Sequence, residues 1–344
     1  NSNLHYFYIY TTDTNTTGLQ IKNLTIKDVY VSNILSGIGT QRYSTYGSIA
    51  GKNVHIYKYG GLGNDWCFVR TPSDYDPNRE KPYPFVICSH GNGWTMDGTI
   101  QKASWTKRTM YVKASDTDYI ANPEQYNMVA DNSPLLYSNP TIEALLSAGY
   151  IVCGCENYAD NLYGNDNCRQ ACADFYQHMI KNYNVEDKCF MIGASNGAMT
   201  SLNTMYLLGG VARVKAMILQ YPLTCLWRHY TNYSSHQGPI ETAYGIATGL
   251  TESQFEKATR THDPEKVCTI INGTDRIKTI PLPPIKFYYS TGDTVVNATN
   301  NSLALMNVLE DSNCVYESVV ASGNHGDYTH FDPVGCLTFF EKYR

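Results

Sequence analysis

Cys189-Phe190-Met191-Ile192-Gly193-Ala194-Ser195-Asn196-Gly197-Ala198-Met199-Thr200-Ser201-Leu202 is the stretch on which the reading of this chain turns. Cys189 to Ile192 is a short apolar run of the kind that forms a buried strand, and Ala198 to Leu202 suits a helix. Between them Gly193, Ser195 and Gly197 match the G-x-S-x-G turn, which lifts a serine to the apex of a sharp strand-to-helix bend. The glycines have a physical reason: neighbours without side chains let the chain bend and leave the hydroxyl exposed. So short a motif recurs by chance, so an ordinary serine in a Gly-rich turn stays an alternative until Ser195 is given partners.

A serine alcohol is a poor nucleophile at neutral pH and needs a base within hydrogen-bond reach and a carboxylate to orient that base. Where the serine stands on this turn, the expected chain order is Ser, then Asp or Glu, then His, each just past the end of a strand. The strand-like run Ile285 to Ser290 leads into Thr291-Gly292-Asp293, and the run Val315 to Val320 leads into Ala321-Ser322-Gly323-Asn324-His325. Asp293 and His325 are therefore the candidate orienting carboxylate and base. Their competitors are Asp327, Asp332 and His330; Asp327 is too near His325 in sequence to reach its far ring nitrogen, and His330 is expected at the surface or in helix-start packing. Asp293 could also be a plain turn-former.

Catalysis by such a serine needs backbone N–H groups aimed at the developing oxyanion. The N–H of Asn196, next after the serine, is one candidate. The loop Ser89-His90-Gly91-Asn92-Gly93-Trp94 follows the apolar run Pro84 to Ser89, so Gly91 or Asn92 is the second candidate donor, with His90 buttressing the loop.

From about residue 47, strand-like and helix-like segments alternate, which predicts a mostly parallel central sheet with helices on both faces, an α/β class. Val54–Tyr59 and Cys67–Thr71 read as an opening antiparallel pair. Helices are expected over Pro140–Ala148, Asn167–Tyr183 and Phe331–Tyr343, and further strands at Tyr150–Gly154 and Val214–Gln220. Residues 95–139 and 225–283 interrupt the alternation with Tyr-, Asn-, Asp- and Pro-rich sequence of little clean periodicity; long insertions of this kind are expected to form a cap. Aromatic residues there (Trp94, Trp105, Tyr111, Tyr126, Trp227, Tyr230, Tyr233) suit stacking on sugars, or else pack the cap itself. Trp94, Trp227 and Tyr158 are the candidates for substrate contact. Residues 1–46 alternate apolar and polar residues without a helix pattern and read as a β-rich extension: an edge strand, a dimerisation arm, or the attachment point to a larger assembly.

Composition narrows the classes. The 344 residues carry a net charge of −5, with 42% hydrophobic and 17% charged residues, and the pI is near 6.0. There is no basic footprint, so no nucleic-acid partner is expected, and no apolar run approaches the ~20 residues of a membrane helix, so no membrane partner is expected either. No signal peptide is visible in this chain. The 11 cysteines are odd in number, which excludes a fully paired disulfide framework. Cys88, Cys153, Cys155 and Cys189 sit in or beside strand-like runs as small hydrophobes, and no spacing suggests a metal site. The 29 tyrosines and the abundance of Asn and Thr fit an extracellular or particle-associated protein.

With Ser195, Asp293, His325 and the His90-Gly91-Asn92-Gly93 loop in place, residues 47–344 resemble the α/β-hydrolase superfamily. The Ser195-Asn196-Gly197-Ala198-Met199 run and the loop are most similar to the branch of polyhydroxybutyrate depolymerases, feruloyl esterases and acetyl-xylan esterases. The resemblance implies a serine esterase working through an acyl-enzyme without a cofactor, with an ester-bearing glycan or small-molecule ester as substrate. Two other readings stay open: a serine peptidase of the prolyl-oligopeptidase type, and a non-catalytic binding protein, such as a viral tail or adhesin component, on a hydrolase scaffold.

Overall fold

Along Cys189–Ala194 the side chains alternate between two hydrophobic layers. Cys189 and Met191 join Phe85, Ile87, Met217, Leu219 and Phe287 on one face, while Phe190 and Ile192 join Val86, Val152, Ala216, Ile218 and Tyr288 on the other. A strand buried on both faces needs apolar residues at every position, which is why these runs are continuous rather than alternating.

The computed structural model describes residues 43–49, 52–63, 65–92, 108–112, 126–128, 140–159, 162–267, 280–312 and 314–344. The expected extension therefore lies outside the described residues up to position 42, as do most of the insertion at 95–139 and residues 268–279. The elements in chain order are β1 (Tyr43–Ile49), β2 (Lys52–Lys58), β3 (Trp66–Thr71), β4 (Phe85–Ser89), β5 (Arg108–Val112), β6 (Tyr126–Met128), α1 (Pro140–Ser147), β7 (Ile151–Cys155), α2 (Asp166–Asn182), β8 (Cys189–Ala194), α3 (Asn196–Leu208), β9 (Val214–Gln220), α4 (Leu226–Asn232), α5 (Ser234–Tyr244), α6 (Glu252–Thr259), β10 (Ile285–Ser290), α7 (Ser302–Glu310), β11 (Tyr316–Ala321) and α8 (Pro333–Glu341).

Among the described residues one nine-stranded sheet runs in the order β1-β2-β3-β7-β4-β8-β9-β10-β11. From β7 to β11 every pairing is parallel, whereas β3 is antiparallel to both its neighbours and β1 to β2. Helices α2, α3 and α7 cover one face through Phe175, Met179, Leu202, Met205, Leu305 and Leu309. Helices α1 and α8 cover the other through Leu145, Leu146, Phe339 and Phe340. Because β4, β8, β10 and β11 run the same way, their carboxyl ends open on one edge of the sheet, and the loops that follow them are brought together there.

The structure departs from the sequence reading in three places. Strand β1 begins at Tyr43 and pairs with β2, so the sheet starts before residue 47. The stretch 225–283 is helical over much of its described length, in α4, α5 and α6, rather than irregular. These helices are short and cover a small core of their own, built from Leu226, Tyr230, Ile240 and Phe255 with Tyr163, Met199 and Leu223. A helix of only two or three turns shows too few repeats to betray its period. Helix α7 has no counterpart in the sequence reading.

Candidate active site

Strand β8 ends at Ala194 and α3 begins at Asn196, leaving Ser195 as the residue that makes the turn, with φ 54° and ψ −122°. A non-glycine residue at positive φ costs of order 1–3 kcal/mol and persists only where the surroundings fix it. Here they do: the Ser195 N–H donates to the Gln220 carbonyl at 2.9 Å, and its carbonyl accepts from Ala198 and Leu223 N–H, each at 3.0 Å. The flanking glycines are sterically required. A Cβ on Gly193 would stand 2.6 Å from Ala198 Cα, and one on Gly197 would stand 2.1 Å from the Ser89 carbonyl oxygen. The second contact shows how closely the loop after β4 lies against the turn.

The structure brings the three separated residues into one hydrogen-bonded line. His325 Nε2 stands 2.9 Å from Ser195 Oγ, and His325 Nδ1 stands 2.7 Å from Asp293 Oδ2. The other Asp293 oxygen accepts from the Val295 and Val296 N–H groups, both at 2.8 Å, and the residue is 3% exposed. A carboxylate held this way accepts the Nδ1 proton, which leaves the Nε2 lone pair turned to the serine hydroxyl. The acid and base loops are tied to each other: Asn324 Oδ1 accepts from Thr294 N–H at 2.9 Å, and Ser290 Oγ donates to the Gly323 carbonyl at 2.6 Å. Tyr221, which follows β9 at φ 37°, packs its ring edge-on to His325 at 4.7 Å.

The competitors take structural positions. His330 is fully buried, not at the surface; its Nδ1 donates to the Asp327 carbonyl at 2.9 Å, and burial lowers its pKa. It is enclosed because Tyr221 packs between it and His325. Asp332 is the N-cap of α8, accepting from Gly335 N–H at 2.8 Å. Asp327 accepts from Thr329 N–H at 3.2 Å.

Asn196 is the first residue of α3, and the leading N–H groups of a helix have no partner within it. Gly91 and Asn92 lie on the loop that presses on the elbow. His90 pins that loop, with Nδ1 2.9 Å from the Gly91 carbonyl and Nε2 3.1 Å from the Glu156 carbonyl. Of the substrate-contact candidates, Trp94 lies outside the described residues, as does Trp105, and the Tyr111 and Tyr126 side chains are not described. Trp227 stacks on Tyr230 at 5.8 Å and packs on Phe255 at 5.2 Å, against the small core of α4, α5 and α6. Tyr158 is 43% exposed on the loop after β7. That loop is anchored by Asp65, whose Oδ2 accepts the Tyr158 N–H at 3.0 Å; burial pushes the Asp65 carboxyl up to about 7.

Backbone strain marks the same rim. Among the described residues the non-glycine positions at positive φ are Asn157, Tyr158, Ser195 and Tyr221, just past the carboxyl ends of β7, β8 and β9, and Tyr163, farther along the connection from β7 to α2. Two residues that the sequence reading missed also stand here: on the cap helices α4 and α5, His229 and His236 share a hydrogen bond of 2.6 Å. Their spacing of seven would suit one helix face, but Tyr233 separates the two helices.

No protein-family model matches the chain, and no curated protein matches it in sequence. Solved structures do match it in shape. An S-formylglutathione hydrolase from Agrobacterium tumefaciens superposes with a TM-score of 0.56 over 87% of this chain and 97% of its own, at 9% identity. Esterase B from Lactobacillus Rhamnosis gives 0.53 over 88% and 87%, at 14% identity. Dipeptidyl peptidase 4 of Porphyromonas gingivalis gives 0.53 over 84% of this chain at 15% identity, but this chain spans only 35% of that one. The chain has the α/β-hydrolase fold. In an α/β-hydrolase the nucleophile, acid and base stand in that chain order at the carboxyl edge of the sheet. Ser195, Asp293 and His325 occupy the ends of β8, β10 and β11 accordingly. The cysteines that lie among the described residues are all thiols, mostly buried; Cys88 and Cys314 are only partly so. Among the described residues no cluster of three metal-ligating side chains occurs, and no helix is long and apolar enough to cross a membrane.

Proposed function

We propose that the chain is a serine esterase, hydrolysing carboxylic esters through an acyl-enzyme. The observation that carries this reading is the continuous line from Asp293 through His325 to Ser195 Oγ, at 2.7 and 2.9 Å, on a strained elbow. Ser195 Oγ attacks the ester carbonyl as His325 Nε2 takes its proton, and Asp293 holds the ring and stabilises the imidazolium. The oxyanion is received by the N–H of Asn196 and by that of Gly91 or Asn92. Collapse of the tetrahedral intermediate returns the proton to the leaving alcohol, and water repeats the sequence to release the acid.

Within this reading the substrate is an acetyl or feruloyl ester on a carbohydrate polymer or a smaller ester, supported by the Tyr- and Asn-rich rim. A peptidase is the second reading, because the fold is shared with a dipeptidyl peptidase over 84% of this chain. Fluorophosphonate labelling tests the enzyme: wild type should label at Ser195, and Ser195→Ala and His325→Ala should lose nearly all turnover. An unlabelled wild type, indistinguishable from Ser195→Ala, would return the chain to a binding role. A panel of acetylated and feruloylated glycans against aminoacyl and prolyl amides then separates esterase from peptidase.

A further inference from the structure

Several buried polar atoms around Ser195 have no hydrogen-bond partner: Tyr163 OH, Asn196 Oδ1, His229 Nδ1 and, on the oxyanion loop, Asn92 Oδ1. Tyr163, Asn196 and His229 are each at least nine-tenths buried, at 0%, 5% and 2% exposure. Buried polar groups are almost always paired, so a group of orphans at one place calls for a missing partner. Three of these residues, Asn92, Tyr163 and His229, belong to one chain of contacts, while Asn196 follows Ser195 directly. Tyr163 interacts with the Asn92 side chain, though outside the geometry of a regular hydrogen bond, and its ring lies 6.4 Å from that of His236. His236 is bonded to His229, whose ring lies 4.7 Å from Tyr233. Tyr233 OH donates to the Thr294 carbonyl at 2.9 Å, next to Asp293. The belt thus runs from the loop after β4 to the loop that carries Asp293, and His229 and His236 both lie close enough to His325 to feel its charge.

The belt's chemistry is uncharged. Asn92, Tyr163, Asn196 and Tyr233 carry neutral polar groups, and burial holds His229 and His236 below the ordinary imidazole range, His229 at about 3. A bond of 2.6 Å between two imidazole nitrogens requires one donor and one acceptor. If His229 Nε2–H donates, His236 Nε2 carries a proton and donates outward; if His236 Nδ1–H donates, His236 Nε2 is an acceptor. The half-buried His236 can therefore meet either end of a hydroxyl, with its partner changing tautomer behind it. An anion finds no cation in this belt, and a purely apolar group leaves its orphans unpaired.

We propose that the His229–His236 pair, with Asn92, Tyr163 and Asn196, recognises a hydroxyl group carried by the substrate close to the scissile ester. The pair sets specificity, with His236 as the contact and His229 as the residue that positions it. The ligand class is an ester bearing a free hydroxyl, whether on the acyl part, as in a hydroxy acid, or on the alcohol part, as in a polyol or sugar. This inference rests on the serine-esterase reading and narrows its substrate.

Matched ester pairs test it. On the acyl side, 4-nitrophenyl butyrate is compared with 4-nitrophenyl 3-hydroxybutyrate; on the alcohol side, ethyl acetate with 2-hydroxyethyl acetate. After correction for intrinsic reactivity in hydroxide, wild type should favour the hydroxylated member of one pair by ~10-fold or more in kcat/KM, since a site built to bond a hydroxyl rejects the analogue lacking it. The responding pair shows which side carries the hydroxyl. His236→Phe should bring that ratio close to one, and His236→Gln, which keeps a polar atom near the Nε2 position, should restore part of it. A general loss of structure would lower both members together and leave the ratio alone. The proposal is overturned if wild type labels with fluorophosphonate yet shows no preference on either pair, or if His236→Phe keeps the preference. A wild type that neither labels nor turns over any ester removes the esterase reading itself, and this proposal with it.

Discussion

Gly197→Ala tests whether the elbow and the oxyanion loop are one device. The added Cβ would meet the Ser89 carbonyl oxygen at 2.1 Å and the His90 carbonyl oxygen at 2.6 Å. Ordinary contact begins near 3.4 Å, so one backbone must retreat by about 1.3 Å; no flexible side-chain end is available to absorb the clash. What retreats is either the turn that holds Ser195 or the loop that carries Gly91 and Asn92. A misplacement of about 1 Å in an active site costs about 10²-fold in rate, and the loss of one oxyanion donor costs about 10²–10³-fold. Gly197→Ala should therefore lower kcat on 4-nitrophenyl acetate by about 10²-fold or more. Overpacking should also remove about 1–3 kcal/mol of stability in urea unfolding. Gly238→Ala on α5 is the control for turnover: beyond its chain neighbours a Cβ there meets nothing within 4 Å, so kcat should be kept. A folded Gly197→Ala whose kcat stays within threefold of wild type would refute the idea that close approach of these two backbones builds the site.

Three further outcomes follow from the same geometry. Asp293→Asn keeps an oxygen for the Val295 and Val296 N–H groups but turns an amide N–H toward His325, which forces the wrong tautomer; kcat should fall by about 10⁴-fold with little change in melting temperature. Asp332→Ala removes the N-cap of α8 and should cost about 1 kcal/mol in urea unfolding while kcat is kept; a loss of turnover instead would reopen its claim to the triad. His178 is pushed down to about 4 by burial and by nearby Lys181, from 6.5 in the unfolded chain. Between those values the unfolded state binds the extra proton, so the stability tied to this residue is lost as pH falls from about 6.5 to about 4, by up to about 3 kcal/mol. Asp65, raised by burial to about 7, has the opposite sign and gains stability over part of the same range, so the difference between wild type and His178→Gln is the quantity to follow. That difference should shift against wild type on going from pH 7 to pH 4.5; a pH-independent difference would contradict the assignment.

The site was legible where chemistry is written in local sequence. A serine between two glycines, with an apolar run before it and a helix after it, has one economical geometry, and parallel strands carry Asp293 and His325 to the same edge whatever the detailed packing. The His229–His236 pair was not legible, because its two members belong to different short helices and meet only through the turn at Tyr233. Tyr221 was hidden for a related reason: nothing local distinguishes a tyrosine after a strand, but β9 adjoins β8 and β10, so its end lies between nucleophile and acid. Of the two positions expected for His330, the surface or packing at a helix start, the structure takes the buried one, with Tyr221 packed against its ring. Local sequence thus encodes the Asp293–His325–Ser195 line, since its members sit past strand ends whose positions follow from topology. The proposed hydroxyl site instead draws on α4 and α5, where contacts arise between elements too short to announce themselves. The strain at Tyr163 and the orphaned atoms beside it are what such a region leaves visible in a structure, and they are the observations on which the proposed hydroxyl site rests.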